Sequence, residues 1–134
     1  FCSYKYYTHN SPPVFRQLSE YLGARKITII FSDYWVLMNV IFYSDEKIAG
    51  SSNLGPDIND RYAKYVESLC RAKPENIAFV IGQPEYGDTV INTLKTAGIG
   101  YHLNTYNGFM VIDSFTSDPR NIKIASIEKT CKKQ

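Results

Sequence analysis

The sequence predicts an α/β fold, a three-layer sandwich whose mostly parallel sheet ends in an antiparallel hairpin. Three observations predict it. Two short runs, residues 27–31 (ITIIF) and 77–81 (IAFVI), are apolar without alternation, the pattern of strands covered on both faces. Stretches with helical spacing of apolar residues separate them, and parallel strands need such crossovers. Asn107-Gly108 stands between two strand-like runs, and both residues accept the positive φ of a type I′ hairpin turn.

Residues 26–44 organise the rest. The strand in ITIIF runs into Ser32-Asp33, either of which can accept an amide proton that the first turn of a helix leaves without a partner. From Tyr34 to Tyr43 only Asn39 is polar, so the helix is expected to be covered all round. Ser32, Asp33 and Asn39 interrupt the stretch, which does not read as a membrane span, since roughly 20 continuous apolar residues would be needed.

In chain order, residues 1–8 (FCSYKYYT) receive no assignment. Ser11-Pro12-Pro13 is a helix start, Val14, Leu18, Tyr21 and Leu22 mark one face, and Gly23 is the expected terminator. After the central strand and helix, residues 47–50 form a short second strand and residues 51–56 (SSNLGP) a loop. A long helix begins at Asp57, with Ile58, Tyr62, Tyr65, Val66 and Leu69 at helical spacing, and Pro74 stops it. Beyond the strand at 77–81, residues 82–87 read as a loop and 88–97 as a short helix closed by Gly98. Residues 101–106 and 109–115 are the hairpin strands, and residues 118–134 are not placed. The order is Rossmann-like, with right-handed crossovers.

With 134 residues and 44% hydrophobic content, the chain fits a single domain spanning residues 1–134 with a core of its own. It opens at Phe1 without Met, as a piece excised from a larger membrane protein would. A net charge of +2 and scattered basic residues argue against a nucleic-acid partner. Eleven Tyr, seven Phe and one Trp supply either core and rim packing or flat amphipathic surface for a ligand. Cys2, Cys70 and Cys131 have no metal-like spacing, and neither histidine, His9 or His102, extends them to a zinc site, so neither metal nor cofactor is expected. Two readings of the cysteines stand: a Cys2–Cys131 disulfide in an oxidising compartment, or three free thiols.

Ligands of parallel sheets bind beyond the carboxyl ends of the strands. That edge would gather Asp33, Tyr34 and Trp35, then Ser52 and Asn53, then Glu85 and Tyr86, which are the candidate ligand-binding residues. Asp33 and Glu85 could form an acid pair there, although Asp33 reads first as a helix cap. Familiar chemistries do not fit. Gly50 to Gly55 continues with Pro56-Asp57 where a phosphate loop requires Lys and Ser/Thr, and there is no GxSxG nucleophile elbow. No catalytic residue is assigned.

Between Val14 and Asp113 the order of segments, a helix ending in Leu-Gly, then SDYWVLMNVIFYSDEKIAGSS, DRYAKYVESL, IAFVIG and LKTAGIGYHLNTYNGFMVI, resembles the soluble C-terminal domain of polytopic membrane glycosyltransferases. The group is similar to the dolichyl-phosphate-mannose protein mannosyltransferases and aminoarabinose transferases. The Tyr34-Trp35 pair, the aromatic-apolar helix after it and the helix with Arg61, Tyr62 and Tyr65 carry the likeness. It implies a non-catalytic extracytoplasmic domain that packs on the membrane portion of its parent or helps hold a sugar or acceptor, the catalytic carboxylates lying in membrane loops. A free-standing small α/β ligand-binding protein or enzyme using the same loops is the alternative.

Overall fold

The structure, a computed structural model, describes residues 12–51 and 66–121. They form a mixed α/β domain around a 5-stranded sheet of order β2-β1-β3-β5-β4. Chain order is α1 (Pro12–Ala24), β1 (Ile29–Phe31), α2 (Tyr34–Tyr43), β2 (Ala49–Ser51), α3 (Val66–Arg71), β3 (Ile77–Ile81), α4 (Pro84–Thr96), β4 (His102–Tyr106) and β5 (Phe109–Asp113). β1 pairs in parallel with β2 and β3, while β5 runs antiparallel between β3 and β4. One side of the sheet is therefore parallel and the other antiparallel. Every residue of β1 and β3 is buried, so both faces of the sheet's centre are covered, as the unalternating runs predict.

α1 buries Phe15, Leu18 and Leu22 and exposes Arg16, Gln17 and Glu20. Its end differs from expectation. Gly23 stays helical and the closing residue is Lys26, at φ 62. Lys26 N–H donates to Gly23 O at 3.0 Å and Ile27 N–H to Leu22 O at 3.0 Å, the paired bonds of a Schellman motif. α2 closes in the same way with Asp45 at φ 55, and α4 with Gly98 at φ 73, the residue foreseen there. α2 packs on α1 and buries Val36, Leu37, Val40 and Ile41. Cover all round is not what this helix has. Trp35 is 49% exposed and Phe42 74%, because the core receives one face only.

β2 begins at Ala49, two residues later than expected, since the turn at Asp45 and Glu46 delays pairing until Ala49 lies against Ile29. At Gly50 a β-carbon would overlap Ile30 O and press on Leu37, so glycine lets β2 approach β1 under α2. Of the long helix expected from residue 57, residues 66–71 are described as α3, and residues 57–65 lie outside the described residues. Pro74 follows it, opening a 3-10 turn at Pro74–Asn76.

The loop expected at residues 82–87 is mostly helix. α4 starts at Pro84 because Pro is pre-organised for a first helical turn and Glu85 suits its positive end. Gly87, read as a loop glycine, sits inside the helix where a β-carbon would overlap Met110 Sδ, so it permits α4 to lie on β5. The hairpin turns at Asn107 (φ 51) and Gly108 (φ 85), with Tyr106 paired to Phe109. No helix among the described residues is long and apolar enough to cross a membrane.

Candidate functional site

The carboxyl ends of β1, β2 and β3 lie side by side because the three strands are parallel and paired in the order β2-β1-β3. Ser32 N–H donates to Ser51 O at 3.2 Å, fastening the first two ends together. Asp33 is the N-cap of α2, its Oδ1 accepting from Val36 N–H at 2.9 Å with extended backbone at φ −72 and ψ 162. One oxygen of a half-buried carboxylate is thus committed to the helix, which is the cap reading of this residue. Tyr34 is half-buried in the first turn, and Trp35 beside it keeps about half its surface in solvent. Asn39 Nδ2 donates to Trp35 O at 2.9 Å, bracing that turn.

Glu85 and Tyr86 follow β3, the neighbour of β1, so the topology brings them to the same edge as Asp33, Tyr34 and Trp35. They belong to the first turn of α4 instead of a loop. Glu85 is exposed, and Tyr86 packs partly against the core. Ser52 and Asn53 lie outside the described residues. Their neighbour Ser51, expected in the same loop but not among the candidate ligand-binding residues, ends β2 instead. Its side chain is fully buried at the end of β2, and among the described residues its Oγ is the buried side-chain polar atom left without a hydrogen-bond partner. A buried hydroxyl without a partner is costly and calls for an explanation, such as a bound polar group.

A second cluster stands at the opposite edge. Asp113, closing β5, is buried and accepts from Arg25 Nε at 2.7 Å. His102 Nδ1 is 3.6 Å from Asp113 Oδ1, and Ser114 Oγ donates to the same oxygen at 3.4 Å. The hydrogen bond to Asp113 holds the Arg25 guanidinium above its ordinary pKa, against the opposing effect of its own burial. No local signal marks these residues, since they come from three distant segments. His102 itself is a half-exposed hairpin residue. Among the described residues no group of three or more His, Cys, Asp or Glu side chains could hold a metal ion.

Cys70 is disulfide-bonded, which corrects both readings of the cysteines: the thiols are not all free, and a chain of three cysteines that bonds Cys70 cannot also pair Cys2 with Cys131. The expected partners of each other, Cys2 and Cys131, lie outside the described residues. Arg120 Nη1 donates to Cys70 O at 3.1 Å while its Nε and Nη2 grip Asp118, so the turn at Pro119–Asn121 is tied to α3 beside that disulfide.

Compared with protein-family models, characterised proteins and solved structures, the chain matches none.

Proposed function

We propose that this chain is a non-catalytic, extracytoplasmic domain of a membrane-bound glycosyltransferase with a lipid-linked sugar donor, and that its carboxyl edge helps hold a sugar or acceptor. The observation that carries the reading is the half-exposed Trp35 ring in the turn that Asp33 caps. Sugars bind through aromatic faces and a few aimed polar groups, and Asp33, Tyr34 and the unsatisfied Ser51 hydroxyl supply polar groups at that edge. Ser52, Asn53, Glu85 and Tyr86 complete the proposed set.

The topology supports a three-layer, Rossmann-like arrangement. The connection from β1 to β2 runs one way along the sheet, and those from β2 to β3 and from β3 to β4 run the other way. Right-handed crossovers then send α2 to one face and α3 and α4 to the other. The reversal falls between β1 and β3, where a crevice would open between residues 32–33 and 82–83. The disulfide at Cys70 supports an oxidising, extracytoplasmic compartment. The partner is then the membrane portion of the parent protein.

Trp35 is the sole tryptophan, so intrinsic indole emission reports this ring alone. Titration with short-chain polyprenyl-phosphate sugars is expected to change that emission saturably, and Asp33→Asn in the full-length parent to lower sugar transfer while leaving folding intact. An unresponsive ring together with full transfer by the variant parent sinks the proposal.

A further inference from the structure

We infer that a cavity at the amino edge of β1 and β2, opposite the edge discussed above, is a second binding site, made for a small organic anion that also carries hydroxyl or amino donors. The cavity encloses about 380 Å³, within the range of small-molecule sites. Its floor is apolar, from the buried Ile27 and Ile48, and Tyr43 forms a wall. Lys26, Lys47 and Glu20 line it, and among the described residues none of these three makes an ion pair or a side-chain hydrogen bond. Within the lining two ammonium groups stand against one carboxylate, a balance that selects an anion. Glu20 is an acceptor for a donor elsewhere on the same ligand. The serines of the lining are already engaged, Ser19 Oγ donating to Phe15 O and Ser44 Oγ to Ile41 O, so recognition falls to the three charged groups, the tyrosine and the Thr28 hydroxyl.

The backbone points to the same place. Lys26 occupies the left-handed position that closes α1, where α4 uses Gly98. A β-carbon is disfavoured there, and glycine is the residue expected on conformational grounds. Lys47 is presented by a turn with two consecutive left-handed residues, Asp45 and Glu46. Asn76 Nδ2 fixes the first turn by donating to Lys26 O at 2.7 Å. Strained backbone is thus kept at one cavity-lining lysine and directly before the other, which is where a ligand requirement outweighs local conformational preference. A cation at the end of α1 also complements the helix dipole. Replacing Lys26 by glycine separates the two roles.

The test is an amide NMR titration of the full chain with glycerol phosphate, inorganic phosphate and acetate as probes. Glycerol phosphate is expected to shift the amides of Gly23, Lys26, Ser44 and Lys47 saturably and to bind more tightly than inorganic phosphate, with Glu20→Gln narrowing that difference. Lys26→Gly is expected to leave the melting temperature unchanged or raised and to weaken binding about tenfold, the loss of one charge-assisted hydrogen bond. Lys47→Gln is expected to weaken it similarly. The inference is overturned if none of the three probes moves those amides, or if Lys26→Gly binds as the unaltered chain does, whatever its melting temperature.

Discussion

Arg25 and Asp113, 88 positions apart, meet through one 2.7 Å bond in which Arg25 Nε–H donates to Asp113 Oδ2. The carboxylate is 3% exposed and the guanidinium 33%, so the bond fixes the end of α1 to the end of β5 at the margin of the core. Arg25→Ala would leave a buried carboxylate without its cation and is expected to cost about 2–3 kcal/mol, below the figure for fully buried pairs because Arg25 is partly solvated. Replacing both residues, Arg25→Met with Asp113→Leu, should recover much of the loss. Urea denaturation of the three chains measures this, and a loss under about 0.5 kcal/mol for Arg25→Ala would show the pair to be dispensable.

Ile30 lies in the middle of β1, with a paired strand on each side and no exposed surface. Ile30→Ala is expected to cost about 2–5 kcal/mol, from lost burial plus the cavity left behind. Thermal and denaturant unfolding check it. A cost below about 1 kcal/mol would contradict a strand enclosed on both sides.

At Asp33, stability and function make separable forecasts. Since Oδ1 accepts from Val36 N–H, Asn or Ser at this position should cap nearly as well, and Asp33→Ala should lose about 1 kcal/mol. Equal stability of Asp33→Ala and the unaltered chain by denaturant unfolding would mean that the cap adds nothing.

Acid sensitivity is expected from Asp118. Burial raises its pKa, but the side-chain and backbone hydrogen bonds from Arg120 outweigh that, and the carboxyl titrates below its ordinary range. A depressed folded-state pKa stabilises the fold above the unfolded value, and this contribution fades as pH falls through the folded value. Asp118→Asn should therefore be less stable than the unaltered chain near neutrality and converge with it as pH falls through and below the ordinary carboxylate range. Parallel curves across that range would assign the acid response to other groups.

Much of the fold was legible in short stretches because the forces there are local. The β-branched and aromatic runs at 27–31 and 77–81 marked the buried strands, Asp33 marked its cap, and Asn107-Gly108 marked the hairpin through the φ values those residues tolerate. The edge holding Asp33, Tyr34 and Trp35 followed from strand order alone. Other features depended on which segments meet. Pro84 and Gly87 look like loop residues by composition, yet they begin α4 and let it lie against Met110. Gly23 reads as the stop of α1, but the chain turns at Lys26 once Ile27 N–H reaches Leu22 O and Asn76 holds Lys26 O. The insertion of β5 between β3 and β4, the Arg25–Asp113 bond and the cavity with Lys26 and Lys47 join residues far apart in sequence. Local preference spans about 1 kcal/mol per residue, and tertiary contacts of larger worth decided these positions.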